Sequence, residues 1–498
     1  MPVPSLPLIV DPDSPTSLQR QIVEQIRRLV AGDALRPETP LPSIRRLAGD
    51  LGVARNTVVQ AYERLIAEGY LEARPQVGTF VAKVPPASAR LPEGADAGGG
   101  EGALPACQFQ GRRHHIFPAA KRAAIDFRVG RPDPWSFPFN RWKRLLAACL
   151  NRASVQLTEY GDPQGLSALR QAIADKVAPM RGIAVEPSQV IITVGIQEAI
   201  NLAIQAFVSP GSRVVVEDPC YQGAAYALQR AGAMVSAVPV DDGGLRVDLL
   251  PPGPVRLIYV TPSHQYPLGG VLSLERRRSL LEWARATGAL IIEDDYDGDF
   301  RHENAPLPAL AALDGLNSVI HMGTFSKSLG AGLRIGYMLV PKPIAAALTD
   351  LKALLNNGNS WLEQAALADY IGSGAYGEHI CEIRTLYRRR RDVLVAAIGR
   401  AFGDSDVTGC DGGMHVAWHL PPDMPDAAVL AERLQMQGVA VYTLGTGGAA
   451  AFGPDSQWPR TLLLGYVAVA EPDIERAVEL MARERLPRPR PQHSDYQI

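Results

Sequence analysis

Apolar side chains in the first eighty residues recur every three or four positions. Leu18, Ile22, Ile26 and Leu29 share one face of a helix over 17–30, with Ser17 placed to cap it and Gly32 to stop it. A second helix is expected from Leu41 to Ala48, opened by Pro42 or Ser43, with Leu47 and Leu51 facing inward. Gly52 turns the chain into a third, 53–69, which buries Val58, Tyr62 and Leu65. Its first turn exposes Arg55, Asn56 and Thr57. Two short β-prone pieces follow, at 70–73 and 78–82. Helices and hairpin in this order predict a winged helix-turn-helix.

Beyond residue 125 the pattern changes. Val190-Ile-Ile-Thr-Val, Arg213-Val-Val-Val-Glu, Arg256-Leu-Ile-Tyr-Val, Ala289-Leu-Ile-Ile-Glu and Ser318-Val-Ile-His-Met are short and continuously apolar, with helical stretches between them. Such runs predict strands buried on both faces of a mostly parallel sheet in an α/β domain. Between the two patterns, 85–124 is rich in proline and glycine and poor in large apolar residues, as flexible linkers are. The expected division is a reader at 1–84, a linker at 85–124 and a large domain at 125–498.

Composition adds limits. The chain has 498 residues, 46% hydrophobic and 20% charged, with a net charge of −2, an ordinary balance for a globular protein with a large core. No apolar run approaches the roughly 20 residues that span a bilayer, and nothing at the start resembles a signal peptide. The expectation is a cytoplasmic protein without a membrane partner. The five cysteines are scattered, without metal-ligand spacing, as for reduced thiols. The reader holds ten basic against nine acidic residues through Val84. Nucleic-acid binding therefore requires its cations to be concentrated on one face.

The chemistry centres on Gly323-Thr-Phe-Ser-Lys-Ser-Leu-Gly-Ala-Gly-Leu-Arg-Ile-Gly-Tyr337. Lys327 lies among small and hydroxyl residues, where an amine can lose its proton and attack an aldehyde. Thr324, Ser326 and Arg334 offer hydroxyls and a cationic fork to a phosphate. A Schiff-base lysine beside a phosphate cradle reads as a pyridoxal 5'-phosphate site. Other candidates fall after the strands. A helix opening at Gly195, with Ile196 and Gln197, presents free amides to phosphate. Tyr221 can stack on a flat ring. The run Glu293-Asp-Asp-Tyr-Asp-Gly-Asp299 can hold a pyridine nitrogen protonated, although such carboxylates also suit a hard cation.

Leu41-Pro-Ser-Ile-Arg45, Gly52-Val-Ala-Arg-Asn-Thr-Val58, Glu68-Gly-Tyr-Leu71 and Gly78-Thr-Phe-Val81 resemble the GntR family of bacterial regulators. The resemblance implies Arg45, Arg55 and Thr57 as contacts to a double-stranded DNA operator, with Gly78 near the wing tip. Geometry adds Ser43 and Asn56. The large domain resembles the fold-type I, class I aminotransferases. That resemblance implies Lys327 as the Schiff-base lysine, Arg334, Thr324 and Ser326 on the phosphate, and Asp294 on the pyridine nitrogen. It further implies Tyr296 on the phenolic oxygen, Tyr221 over the ring and a smaller C-terminal α+β subdomain. Tyr160, in Tyr160-Gly-Asp-Pro-Gln-Gly-Leu-Ser-Ala-Leu-Arg170, matches the tyrosine that reaches the other subunit's phosphate, implying a homodimer. His264 and Gln265 stand where aminotransferases show Asn-Pro-Thr-Gly, which makes His264 a further cofactor candidate. Both halves together are similar to the MocR subfamily.

Two departures bear on function. Leu463 occupies the place where aminotransferases carry a carboxylate-gripping arginine, with Arg460 three residues earlier as a possible substitute. Gly223 stands where a γ-aminobutyrate-sensing relative shows an arginine. Without a bidentate clamp, transamination loses orientation. The expectation is a DNA-binding regulator whose effector is pyridoxal phosphate or a small amine or amino acid. The alternative is a working aminotransferase that keeps a DNA reader.

Overall fold

A computed structural model describes residues 6–83, 123–303, 307–453 and 458–486. The chain divides into two compact units, Met1–Gln110 and Gly111–Ile498. Nearly all of the expected linker, and Arg112-Arg-His-His115 within it, lies outside the described residues.

The first unit contains helices Leu18–Ala31, Ile44–Leu51 and Arg55–Ala67, then strands Leu71–Arg74 and Gly78–Val81 paired antiparallel. Ser17 and Ser43 cap the first two helices, accepting from the Arg20 and Arg46 amides. Gly52 ends the second in the left-handed region at φ 64, where the lack of a Cβ removes the steric cost. The buried face of the first helix is rotated from the expected one. Ile22, Val23, Ile26 and Val30 are buried, while Leu18 and Leu29 are only half-buried. Val58, Tyr62 and Leu65 fill the core as expected, and the Tyr62 hydroxyl donates to the Pro42 carbonyl at 2.9 Å.

The second unit is built on an eight-stranded sheet. Across it run Val190–Thr193, Gly336–Leu339, Val319–Thr324, Leu290–Asp295, Leu257–Val260, Arg213–Asp218, Met234–Asp241 and Gly244–Leu245. The five anticipated strands are all present, and four of them lie side by side in parallel. Sequence reading missed Gly336–Leu339, which inserts antiparallel to both neighbours directly after the lysine stretch. Alternation along the strands feeds two cores. Val190, Val215, Ile258, Ile291 and Val319 belong to one, while Ile191, Val214, Tyr259, Ile292 and Ile320 belong to the other. Helices therefore cover both faces, and the sheet's loops are left to carry chemistry.

A smaller four-stranded sheet, Val407–Thr408, His415–His419, Thr461–Gly465 and Tyr442–Thr443, packs with Ala427–Met436 and Glu471–Arg483. This is the expected C-terminal α+β subdomain. The long helix Ala375–Phe402 runs beside it. Among the described residues no helix is long and apolar enough to cross a membrane.

Candidate functional site

The carboxyl ends of the parallel strands converge on one cavity of about 360 Å³. Its wall includes Ile196, Gln197, Tyr221, Asp294, Tyr296, Thr324, Ser326, Lys327 and Arg334. Each comes from a strand end or the turn beyond it, so residues as far apart as 196 and 334 meet. Gly195 stands just behind, the N-cap of Ile196–Phe207 at φ 97. A Cβ on it would lie 3.4 Å from the Arg334 guanidinium. Arg334 in turn donates to the Val194 carbonyl at 2.5 Å. The helix N-terminus and the guanidinium thus form one electropositive end, with Thr324 and Ser326 beside it.

Lys327 follows the strand Val319–Thr324 in a single wide turn, Ser326–Gly330. Its ammonium donates to the Gly130 carbonyl at 3.0 Å. A Cβ at Gly130 would come 2.5 Å from that Nζ, so a glycine is needed for the lysine to stand there. Burial lowers the lysine's pKa, opposed by the carboxylates of Asp297 and Asp294.

Asp294 is buried at the end of Leu290–Asp295. One oxygen accepts from the Tyr259 hydroxyl at 2.5 Å, and the other has no hydrogen-bond partner. Burial raises its pKa to about 7. An unpartnered buried carboxyl oxygen facing a cavity is costly unless a ligand donor meets it, and a protonated ring nitrogen is such a donor. Burial likewise drives the Tyr296 pKa well up, which keeps its hydroxyl a donor. The residues therefore fit the expected cofactor: an amine at Lys327, an acceptor at Asp294, a donor at Tyr296 and a phosphate cradle at Arg334.

His264 stands one layer further out than the other candidates. It does not line the cavity but is buried behind it, with Nδ1 2.9 Å from the Tyr296 hydroxyl and 3.0 Å from Asp297 Oδ2. Gly413 makes the room, since a Cβ there would be 2.3 Å from His264 Cε1. From the same segment Tyr266 reaches the cavity instead, its hydroxyl donating to the Gly447 carbonyl. Tyr160 is absent from the wall and 87% exposed. Glu293 accepts from the Leu310 and Ala311 amides, Asp295 and Asp299 pair with Arg181, and Asp297 faces His264.

Arg128, Gly130, Tyr259, Tyr266 and Tyr442 also line the cavity and escaped sequence reading. None carries a local signal, because each arrives through a long-range contact. Arg460, the suggested substitute clamp, is engaged elsewhere. It pairs with Asp426 at 3.3 Å and donates to the carbonyls of Leu420, Pro421 and Met424.

In the first unit Ser43, Arg45, Arg55, Asn56 and Gly78 are exposed, and Thr57 is half-buried. Ser43 is also the N-cap of the second helix. The third helix begins at Arg55 without a side-chain cap. Arg20, Arg27, Arg46, Arg64 and Arg74 pair with glutamates or aspartate. No ion pair among the described residues involves Arg45 or Arg55. Glu24, Glu38, Asp50 and Glu68 are thus tied to arginines other than these two.

The chain matches the family description "Bacterial regulatory proteins, gntR family" over residues 18–81 and "Aminotransferase class I and II" over 110–460. It is 36% identical over 436 residues to the probable rhizopine catabolism regulatory protein MocR of Rhizobium meliloti, covering 87% of each chain. It is 34% identical to the pyridoxine biosynthesis transcriptional regulator PdxR of Corynebacterium glutamicum, covering 89% of this chain and 92% of the relative. It is 33% identical to the transcriptional regulator TauR of Rhodobacter capsulatus, covering 97% and 99%. Among solved structures it is similar to α-aminoadipate aminotransferase from Thermus thermophilus, with a TM-score of 0.65, 28% identity and coverage of 72% and 91%. A kynurenine aminotransferase from Pyrococcus horikoshii gives a TM-score of 0.66, 28% identity and coverage of 72% and 90%.

Proposed function

We propose a function from one premise: this chain belongs to the GntR-type transcriptional regulators that carry a class I and II aminotransferase domain. It is a DNA-binding regulator, and its large unit is a pyridoxal phosphate-dependent sensor. When bound, the cofactor supplies an aldehyde that captures amines and a ring that draws electrons. Lys327 holds it covalently, Asp294 accepts from its ring nitrogen, and Tyr296 donates to its phenolic oxygen. Tyr221 covers the ring, while Arg334, Thr324, Ser326 and the Gly195–Gln197 amides hold the phosphate.

One observation carries this reading: Lys327 and the unpartnered oxygen of Asp294 face the same cavity. Sensing is favoured over turnover because Leu463 is buried among apolar residues and Arg460 is engaged elsewhere. The effector is the cofactor itself or an amine that competes for it. The test is visible absorbance of the purified chain with pyridoxal phosphate, followed by retention of its own upstream DNA with and without amino compounds. A protein with no cofactor band, or one that binds the DNA identically under every condition, overturns the reading.

The reader is proposed to place its third helix in a major groove, through Arg45, Arg55, Asn56 and Thr57, with Ser43 and Gly78 at the edges. The unit is proposed to act as a homodimer. Exposed Val155, Leu157 and Tyr160 (53%, 54% and 87%) give a second copy an apolar surface, and a monomer in sedimentation would refute it. A working aminotransferase is the second reading, favoured by Lys327, Asp294 and Tyr296 meeting in one cavity. Turnover of an amino donor with a keto acid decides it.

A further inference from the structure

We propose that Lys352, outside the cavity, is a positioning residue for the cofactor's phosphate, and that it acts by neutralising Glu198. The proposal rests on the cofactor reading of Lys327 and Arg334 given above. Glu198 belongs to the first turn of Ile196–Phe207, the helix whose N-terminus forms the electropositive end of the cavity. One of its carboxylate oxygens accepts from the Val194 amide. Arg334 donates to the carbonyl of that same residue. Val194 is therefore held on both sides, by a carboxylate and a guanidinium, immediately before Gly195.

That arrangement has an electrostatic consequence. A carboxylate in the first turn suits the helix dipole, but here it stands behind amides proposed to meet a second anion. Left alone, Glu198 would offset the charge of Arg334. Lys352 supplies the opposing cation. Its side chain is fully buried, and its Nζ lies 3.6 Å from Glu198 Oε1. Among the described residues no other cation pairs with Glu198. Arg334, Lys352 and Glu198 together carry one net positive charge, and without Lys352 they carry none.

The surroundings of Lys352 suit an ammonium. It has three N–H donors, and three acceptors surround it: Glu198, the Asn356 side-chain oxygen at 2.9 Å and that of Asn359 at 2.6 Å. Asn356 lies one turn further along the same helix, Lys342–Asn356. Asn357 leaves that helix in the left-handed region at φ 54, which asparagine tolerates, and the chain turns so that Asn359 completes the set. Asn356 also donates to Glu198 Oε1, so both carboxylate oxygens are engaged. Burial lowers the pKa of Lys352, and the Glu198 carboxylate opposes that shift. Lys352, Asn356 and Asn359 do not line the cavity. Lys352 therefore reaches a ligand only through its charge and through the turn at Val194 and Gly195.

The experiment titrates the full chain, stripped of cofactor, with pyridoxal phosphate and with pyridoxal, read by visible absorbance. The readout is the ratio of the two Kd values. It isolates what the phosphate adds, and a loss of packing alone would not move it. Lys352→Met should cut the preference for the phosphate roughly 10- to 100-fold, the range for one charge-assisted contact. Adding Glu198→Gln returns the net charge to its original value and should recover most of the preference. Removing a buried pair together is tolerated better than removing one partner. Should Lys352→Met fail to fold, Glu198→Gln alone decides: a stronger preference for the phosphate supports the assignment, and an unchanged or weaker one refutes it. Equal Kd values in the unaltered protein, a ratio untouched by Lys352→Met, or a loss that Glu198→Gln does not recover overturns it. Absence of a band with either aldehyde in the unaltered protein sinks the Lys327 reading, and this proposal with it. A normal band with an unmoved ratio refutes this proposal alone.

Discussion

Arg55 in the reader and Asp294 in the large unit sit in opposite surroundings, although each is proposed to meet an ionic group of a partner. Arg55 is exposed at an uncapped helix start, while Asp294 is buried with one oxygen unpartnered. The difference follows from what is bound. A duplex is a large polyanion that must be met at the surface, where its attraction is strong but screened by salt. A small molecule captured at an amine needs groups with shifted proton affinities, and those require removal from water. On this proposal one unit keeps its ligand-facing charges solvated, and the other accepts a cost to bury them.

That comparison can be broken from either side. Lys327→Ala should have the largest effect, removing covalent cofactor retention altogether. Filter binding should still show the variant on its DNA, because the reader folds around its own core of Ile22, Ile26, Val58 and Leu65. Asp294→Asn comes next, with cofactor affinity reduced by about 10- to 100-fold, the worth of a charge-assisted contact. Spectral titration measures it.

Arg55→Ala should weaken the specific DNA site by about 1–3 kcal/mol if the guanidinium reads a base edge. The absorbance spectrum should not change. Arg45→Ala should be gentler and uniform across sequences, lowering the salt slope by about 1 as for a phosphate contact.

The smallest effect concerns pH. Burial raises the folded pKa of Asp294 from 3.8 to about 7, so the folded state holds that proton more tightly than the unfolded chain does. Its contribution to stability is fully present below the ordinary value and is lost as pH rises through about 7. The melting temperature of cofactor-free protein should fall over that window, and Asp294→Asn should flatten this part of the decline. A variant with the same slope would show that Asp294 is not the group responsible.

The two regions also differed in how far sequence could be read. The reader's helices and caps were legible because they depend on neighbours three or four residues away. Even there, the buried face of the first helix turned toward Val23 and Val30, since tertiary packing picks the face within a broad apolar stripe. In the large unit, the position of motif residues such as Lys327 and Asp294 on one cavity was legible because strand ends are where an α/β sheet gathers function. Tyr259, Tyr266, Tyr442 and Arg128 were not, since only the folded topology brings them together. His264 lies behind the wall for a steric reason that sequence does not show: Gly413 opens a recess behind Tyr296, and the imidazole fills it. The strand Gly336–Leu339 was missed because its glycine-rich approach reads as loop.

The bond from Lys327 to the Gly130 carbonyl has a mechanical consequence. Were Lys327 to hold the cofactor as proposed, its nitrogen would have fewer protons to give, and its hold on that carbonyl would loosen. The thread from 125 to 130 is stitched at its other end to Val439 and Ala440 and to Gly465. Loading the proposed site would thus unfasten one end of a strap whose other end is anchored in the smaller subdomain.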